Sequence, residues 1–202
     1  MKNKRLLNII FREIPIYYLS RIVSLLPNHG IVCRIRGGLI CRFLGSHSPG
    51  FRMAQGGIIN YPEKIRVGEN VYIAHRAYIN ATAGLKIGNH VTIGPNCIIA
   101  TENHSLADGK VMDRGTKGEI TIGNGTWIGG NVTITAGVTI GSGCMIGAGS
   151  VVTRNIKDNC MAAGAPARVV KTMAERRIYN NESSICPGRE CHNRKQPLYN
   201  PS

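Results

Sequence analysis

The sequence predicts an all-β solenoid of the parallel β-helix kind. Three observations predict it: a six-residue rhythm, a small residue after each beat, and one long break. An Ile or Val recurs at Val67, Ile73 and Ile79, at Ile87, Ile93 and Ile99, at Ile122, Ile128 and Ile134, and at Ile140, Ile146 and Val152. The next residue is Gly at 68, 88, 94, 123, 129, 141 and 147, and Ala, Asn or Thr after the other five beats. Each repeat therefore reads as a short strand with its β-branched residue inward, followed by a bend that a small residue permits. The position four after the beat is also apolar or small, at Val71, Ala77, Ala83, Val91, Cys97, Val132, Val138 and Cys144. Three hexads close an eighteen-residue triangular coil, and coils stack about 4.8 Å apart. A β-sandwich would space its strands about 8–12 residues apart, which the rhythm excludes.

Residues 1–45 carry eight basic and one acidic side chain, the largest share of a net charge of +14. The stretch from Ile14 to Leu26 holds Arg21 as its only charge and lies between Pro15 and Pro27. It falls short of the roughly 20 apolar residues of a membrane span and suits one or two amphipathic helices. Two readings stay open: the apolar faces pack on protein, or they make peripheral contact with an anionic membrane. With 5% aromatic residues and no recognition motif, a nucleic-acid partner is not expected. Seven Cys form no even framework, and Cys97 and Cys144 fall at inward positions, which fits a reducing cytoplasm. No apolar run ends at a small-residue cleavage site, so no secretory leader is expected. Residues 48–66 are irregular and supply a partial first coil.

The break falls between Ile99 and Ile122, where a spacing of 23 replaces six. Insertions leave a β-helix at its corners, and such loops tend to carry function. This one, ATENHSLADGKVMDRGTKGE at 100–119, holds Asn103, His104, Asp108, Asp113 and Arg114. An imidazole with an ordinary pKa near 6.5 is largely free base at neutral pH and can take the proton of an alcohol. His29, His47, His75, His90 and His192 have no comparable context, although His75 lies where it could approach a cleft.

The tandem [LIV]-G-x(4) repeats over roughly 60–171 resemble the hexapeptide-repeat acyltransferases, most closely the sugar and polysaccharide O-acetyltransferases. The resemblance implies a left-handed parallel β-helix, an exception to the usual crossover hand. It implies acetyl-CoA as co-substrate, no metal, a sugar or glycan acceptor, and a homotrimer with each site between two subunits. His104 would be the general base, with Asn80 and Asn103 meeting the acceptor; Asn80 also reads as a turn residue with left-handed dihedrals. An Asp common in this coil among relatives is absent, since residues 81–82 are Ala-Thr. Trp127 and the Gly130 amide would face the thioester, Ala148 and Thr153 the pantetheine arm. Arg168 and Lys171, in the closing Gly164-Ala-Pro-Ala-Arg168-Val-Val-Lys171 at a helix start, would hold the phosphates.

Two alternatives remain: a small acceptor such as serine or an antibiotic, and a metal-dependent β-helical hydratase. The hydratase needs three converging His; His75, His90 and His104 exist, but the His pair five residues apart typical of that type is absent. The expected organisation is a helical segment over 1–47, a β-helix over 48–171 with loop 100–119, and a C-terminal helix and tail over 172–202. The helix is expected over 173–180, and Cys186, Cys191 and His192 lie in the tail without the spacing of a metal site. The expected location is cytoplasmic, with peripheral membrane contact open.

Overall fold

The computed structural model describes residues 2–112 and 115–173. The beats form three parallel ladders whose inward side chains stack coil on coil. One face stacks Met53, Ile73, Ile93, Ile128, Ile146 and Ala162. The second stacks Ile59, Ile79, Ile99, Ile134 and Val152. The third stacks Val67, Ile87, Ile122, Ile140 and Ile156. All twelve beat residues are buried in one continuous core. Fully burying one such side chain is worth about 1.5–3 kcal/mol, so the ladders are the main source of stability.

Coil length differs from the expected eighteen residues. Ile73 pairs with Ile93, twenty residues on, whereas Ile128 pairs with Ile146, eighteen on. The two extra residues sit at the corner between the second and third faces, at 61–64 and 81–84. Ala83 is accordingly only half-buried, and Leu85 takes the inward place expected of it. Residues 52–67 form a first coil of three strands rather than a fragment, which gives five coils in all.

The glycines after the beats serve close approach. None of the seven has a positive φ. A Cβ on Gly88 would lie 2.4 Å from Asn124 Oδ1, and one on Gly141 would lie 2.2 Å from Asp158 Oδ1. Those side chains belong to a ladder up the corner between the third and first faces. Asn89 Oδ1 accepts from the Glu69 N–H at 2.9 Å, Asn124 Oδ1 from Asn89 at 2.8 Å, and Asp158 Oδ1 from Ser142 at 2.8 Å.

The N-terminal segment forms α1 (Lys2–Asn8), a π-helical turn (Ile9–Glu13), α2 (Ile14–Val23) and α3 (Gly30–Cys41). The helix runs through Pro15 directly after the π turn, a wider turn of the kind that accommodates an irregularity in the helical hydrogen bonding, such as a residue with no N–H to donate. Helix α3 lies against the first coil, so close that a Cβ on Gly37 would sit 2.2 Å from the Phe51 carbonyl oxygen. Ile16, Ile40, Leu44 and Phe51 join the core and plug that end. Arg36 is buried beneath them without a carboxylate. Its guanidinium donates to Val23 O at 2.8 Å and Leu26 O at 3.2 Å, at and just beyond the end of α2, and to Met53 O of the first coil at 3.0 Å. No helix among the described residues is long and apolar enough to cross a membrane.

At the other end the chain reverses. Cys160–Gly164 and Ala167–Thr172 form an antiparallel hairpin that closes the first face. Arg168 and Lys171 therefore lie on a strand, not at a helix start: the reversal at Ala165-Pro166 returns the chain to the sheet edge, where it completes backbone pairing. The helix expected over 173–180 and the Cys186–His192 tail fall outside the described residues, apart from Met173.

Candidate active site

Loop 100–119 leaves at the corner between the second and third faces, the same corner that carries the two extra residues in earlier coils. It is ordered as two small antiparallel pairs. Glu102–Asn103 pairs with Thr116–Lys117, and Leu106–Ala107 pairs with Lys110–Val111. The second pair turns through Asp108 (φ 50) and Gly109 (φ 69), the double left-handed turn that Asp-Gly favours. His104 sits in the link between the two pairs. Its ring Nδ1 lies 3.4 Å from the Met112 carbonyl oxygen. Donation of Nδ1–H to that carbonyl leaves the Nε2 lone pair free, the form a general base requires.

The backbone around His104 is fixed by contacts that sequence reasoning missed. A Cβ on Gly115 would lie 1.5 Å from the Asn103 carbonyl oxygen, so only glycine allows the returning strand to cross there. Met112 N–H donates to Ser105 O at 2.9 Å, and Lys117 meets Glu102 at 3.2 Å across the loop base. Thr101, fully buried, donates to Asn80 O at 3.1 Å and accepts from Ala83 N–H at 2.8 Å. The Asp108-Gly109 pair was a legible turn signal; Gly115 and Met112 carried none.

Asn80 lies on a strand of the second face, without a positive φ, so the turn reading does not hold. Its Oδ1 accepts from the Thr82 hydroxyl at 2.7 Å. Its Nδ2 has no protein acceptor among the described residues. Asn103 is exposed beside His104. These three residues share one edge of the prism.

The expected donor residues gather elsewhere. Trp127, 49% exposed, lies on the first face in one row with Thr92, Met145, Met161 and Lys171. Gly130 and Ala148 sit one above the other at the corner between the first and second faces, joined by Gly149 N–H to Gly130 O at 2.9 Å. Gly129 admits this stacking, since a Cβ there would lie 2.7 Å from the Ala148 nitrogen. The Gly130 N–H has no acceptor among the described residues, so it remains available to an incoming oxygen. Arg168 pairs with Ala163 near the same corner. Thr153 stands apart, at the far end of the second face.

His104 thus leaves one edge of the triangular prism while Trp127 lies on the opposite face. One chain does not bring the base and the donor track together. His75 stacks between Gln55 and Pro95 below Gly130, and His90 sits at the third corner, so His75, His90 and His104 occupy three different edges. Among the described residues no three His, Cys, Asp or Glu cluster to hold a metal. Cys33, Cys41, Cys97, Cys144 and Cys160 are buried free thiols. Burial pushes the Cys97 and Cys144 thiols up, which keeps them protonated and inert.

Comparison with known proteins fits this geometry. The family described as bacterial transferase hexapeptide (six repeats) matches residues 119–154. A maltose O-acetyltransferase from Clostridium difficile 630 superposes with a TM-score of 0.71 at 30% identity, over 83% of this chain and 89% of that one. A hexapeptide-repeat acetyltransferase from Vibrio cholerae O1 biovar eltor, solved with acetyl coenzyme A, gives 0.70 at 26% identity over 81% and 87%. The galactoside O-acetyltransferase of Escherichia coli K12 is 36% identical over 62% of this chain and 66% of its own length. The chain belongs to the hexapeptide-repeat acetyltransferases, and its fold is their left-handed parallel β-helix.

Proposed function

We propose that this protein transfers an acetyl group from acetyl-CoA to a hydroxyl of a sugar or glycan, in a trimer whose sites lie between subunits. The reading rests first on His104, presented at the one long break in the solenoid with no partner for Nε2 among the described residues. His104 takes the acceptor's hydroxyl proton as that oxygen attacks the thioester carbonyl. The Gly130 N–H donates to the carbonyl oxygen as negative charge develops there, worth several-hundredfold in related settings. His104 then returns the proton to the departing thiolate of CoA, so the proton balance closes without a covalent enzyme intermediate.

Trp127 offers a flat apolar wall that excludes water beside the acetyl group. Ala148, backed by Gly147 and Gly149, leaves room for the pantetheine arm, while Arg168 and Lys171 supply charge for the phosphates. Thr153 would serve that arm only from a neighbouring subunit. Asn80 and Asn103 offer amides to acceptor hydroxyls. The reading requires a three-fold assembly, since a head-to-tail interface can place the His104 edge of one chain against the donor corner of the next. Exposed Leu106 and Val111, a cross-strand pair on the loop, suit such an interface.

The test is an acceptor panel of galactosides, maltose, larger glycans and serine, with acetyl-CoA as donor. Release of the CoA thiol together with an acetyl mass increment on a sugar is expected. Acetylation of serine alone, or of nothing, would overturn the reading.

A further inference from the structure

Along α1 and the π turn the chain is amphipathic in the reverse sense to a surface helix. Their polar side chains turn toward the protein. Arg5 pairs with Glu13, Asn8 donates to Glu63 at 3.2 Å, and Arg12 donates to the Phe43 carbonyl at 3.0 Å. Apolar side chains turn out there and along one side of α2, whose other side buries Ile16 and Val23. Leu7, Phe11, Tyr18, Ile22 and Leu25 follow one another at spacings of four, seven, four and three residues along α1, the π turn, α2 and the residues beyond it. Phe11 is 66% exposed, Ile22 64% and Leu25 86%. An apolar groove of about 500 Å³ between α2 and the first coil, lined by Ile14, Tyr17 and Ile58, continues that surface.

Such a face calls for an apolar partner, and the charge around it selects which. Residues 1–62 contain nine basic side chains and one acidic one, Glu13, which Arg5 already engages. Arg21, Arg34 and Arg42 are exposed. A second copy of this face would bring like charges together. An anionic bilayer meets both features: the acyl boundary takes the apolar stripe and the headgroups take the arginines. Tyr17 and Tyr18, both exposed and with Arg21 over the Tyr17 ring, have the amphipathic rings favoured at headgroup level.

We propose that the segment 2–26 docks this protein peripherally on anionic lipid membranes, with Leu7, Phe11, Tyr18, Ile22 and Leu25 entering the headgroup–acyl boundary. The docking is independent of the acetyl-transfer chemistry. The experiment is flotation of the full chain with vesicles of phosphatidylcholine alone or mixed with phosphatidylglycerol, at low and high salt. Binding to the mixed vesicles, weakened by salt, is expected. Phe11→Glu with Ile22→Glu should reduce it at least about tenfold, and Arg21→Glu roughly tenfold at low salt only. These positions are exposed, so an unchanged melting transition separates lost docking from lost folding. No flotation with the anionic vesicles would overturn the proposal. So would a Phe11→Glu/Ile22→Glu protein that floats like the wild type. A fall of that variant to a smaller assembly without lipid would overturn it too, by assigning the face to a second copy.

Discussion

The wall of the β-helix and the loop that leaves it are built on opposite principles. In the wall, each inward residue touches its equivalent in the coils above and below, so stability is a sum of similar neighbour contacts. In the loop, Leu106, Val111 and Met112 stay exposed, and order comes from two short strand pairs, a turn and a glycine crossing. The wall spreads its energy over many interchangeable residues. The chemistry proposed for the loop rests on one residue, His104. A change in the wall should therefore cost stability and spare chemistry, and a change in the loop should do the reverse.

The largest break in that comparison comes from His104→Ala. Its kcat is expected to fall about 10²–10⁴-fold, with the melting transition and assembly size unchanged. Equal turnover by the variant would remove the loop from the chemistry. Ile128→Ala tests the wall. It should lose about 2–5 kcal/mol of stability by denaturant titration, through an unfilled cavity, while folded protein keeps its kcat. Gly115→Ala sharpens the contrast, because it displaces Asn103 and His104 without touching the core. Roughly a tenfold or greater fall in kcat is expected, with little change in KM or melting. The smallest effect is that of Lys117→Ala at the exposed loop base, at most about 1 kcal/mol and reduced further by salt.

The thiols test the wall in another way. Cys97 and Cys144 have their folded pKa values raised by burial, so the stability they contribute is present below the unfolded thiol pKa. It is lost as pH rises through the raised value. Both should resist alkylation near neutral pH until the protein unfolds, as mass spectrometry of labelled protein would read.

The sequence was most legible where the physics repeats. Period and β-branching predicted the three ladders and the place where His104 leaves them, because each beat reports the same inward packing. The two extra residues at 61–64 and 81–84 hid in the count, since a corner can absorb a pair without shifting the strands. Ala83 was misplaced for that reason, and Leu85 was missed. The glycines after the beats were recognised for the wrong reason: Gly88 and Gly141 make room for Asn124 and Asp158 on the next coil, a contact no single repeat displays. Arg168 and Lys171 lie on a strand rather than at a helix start, because the closing motif fixes a reversal whose partner is remote in sequence. The reverse amphipathicity of α1 and the π turn was illegible, since an apolar stripe does not say which side faces the protein.

The central claim is that His104 from one chain works with the donor corner of another. It is tested most directly by mixing two inactive variants, His104→Ala and Ala148→Trp, before assembly. If the site spans subunits of a three-fold ring, one interface in four pairs an intact His104 with an intact corner, and about a quarter of wild-type activity should return. Mixed assemblies as inactive as either variant alone would contradict the account.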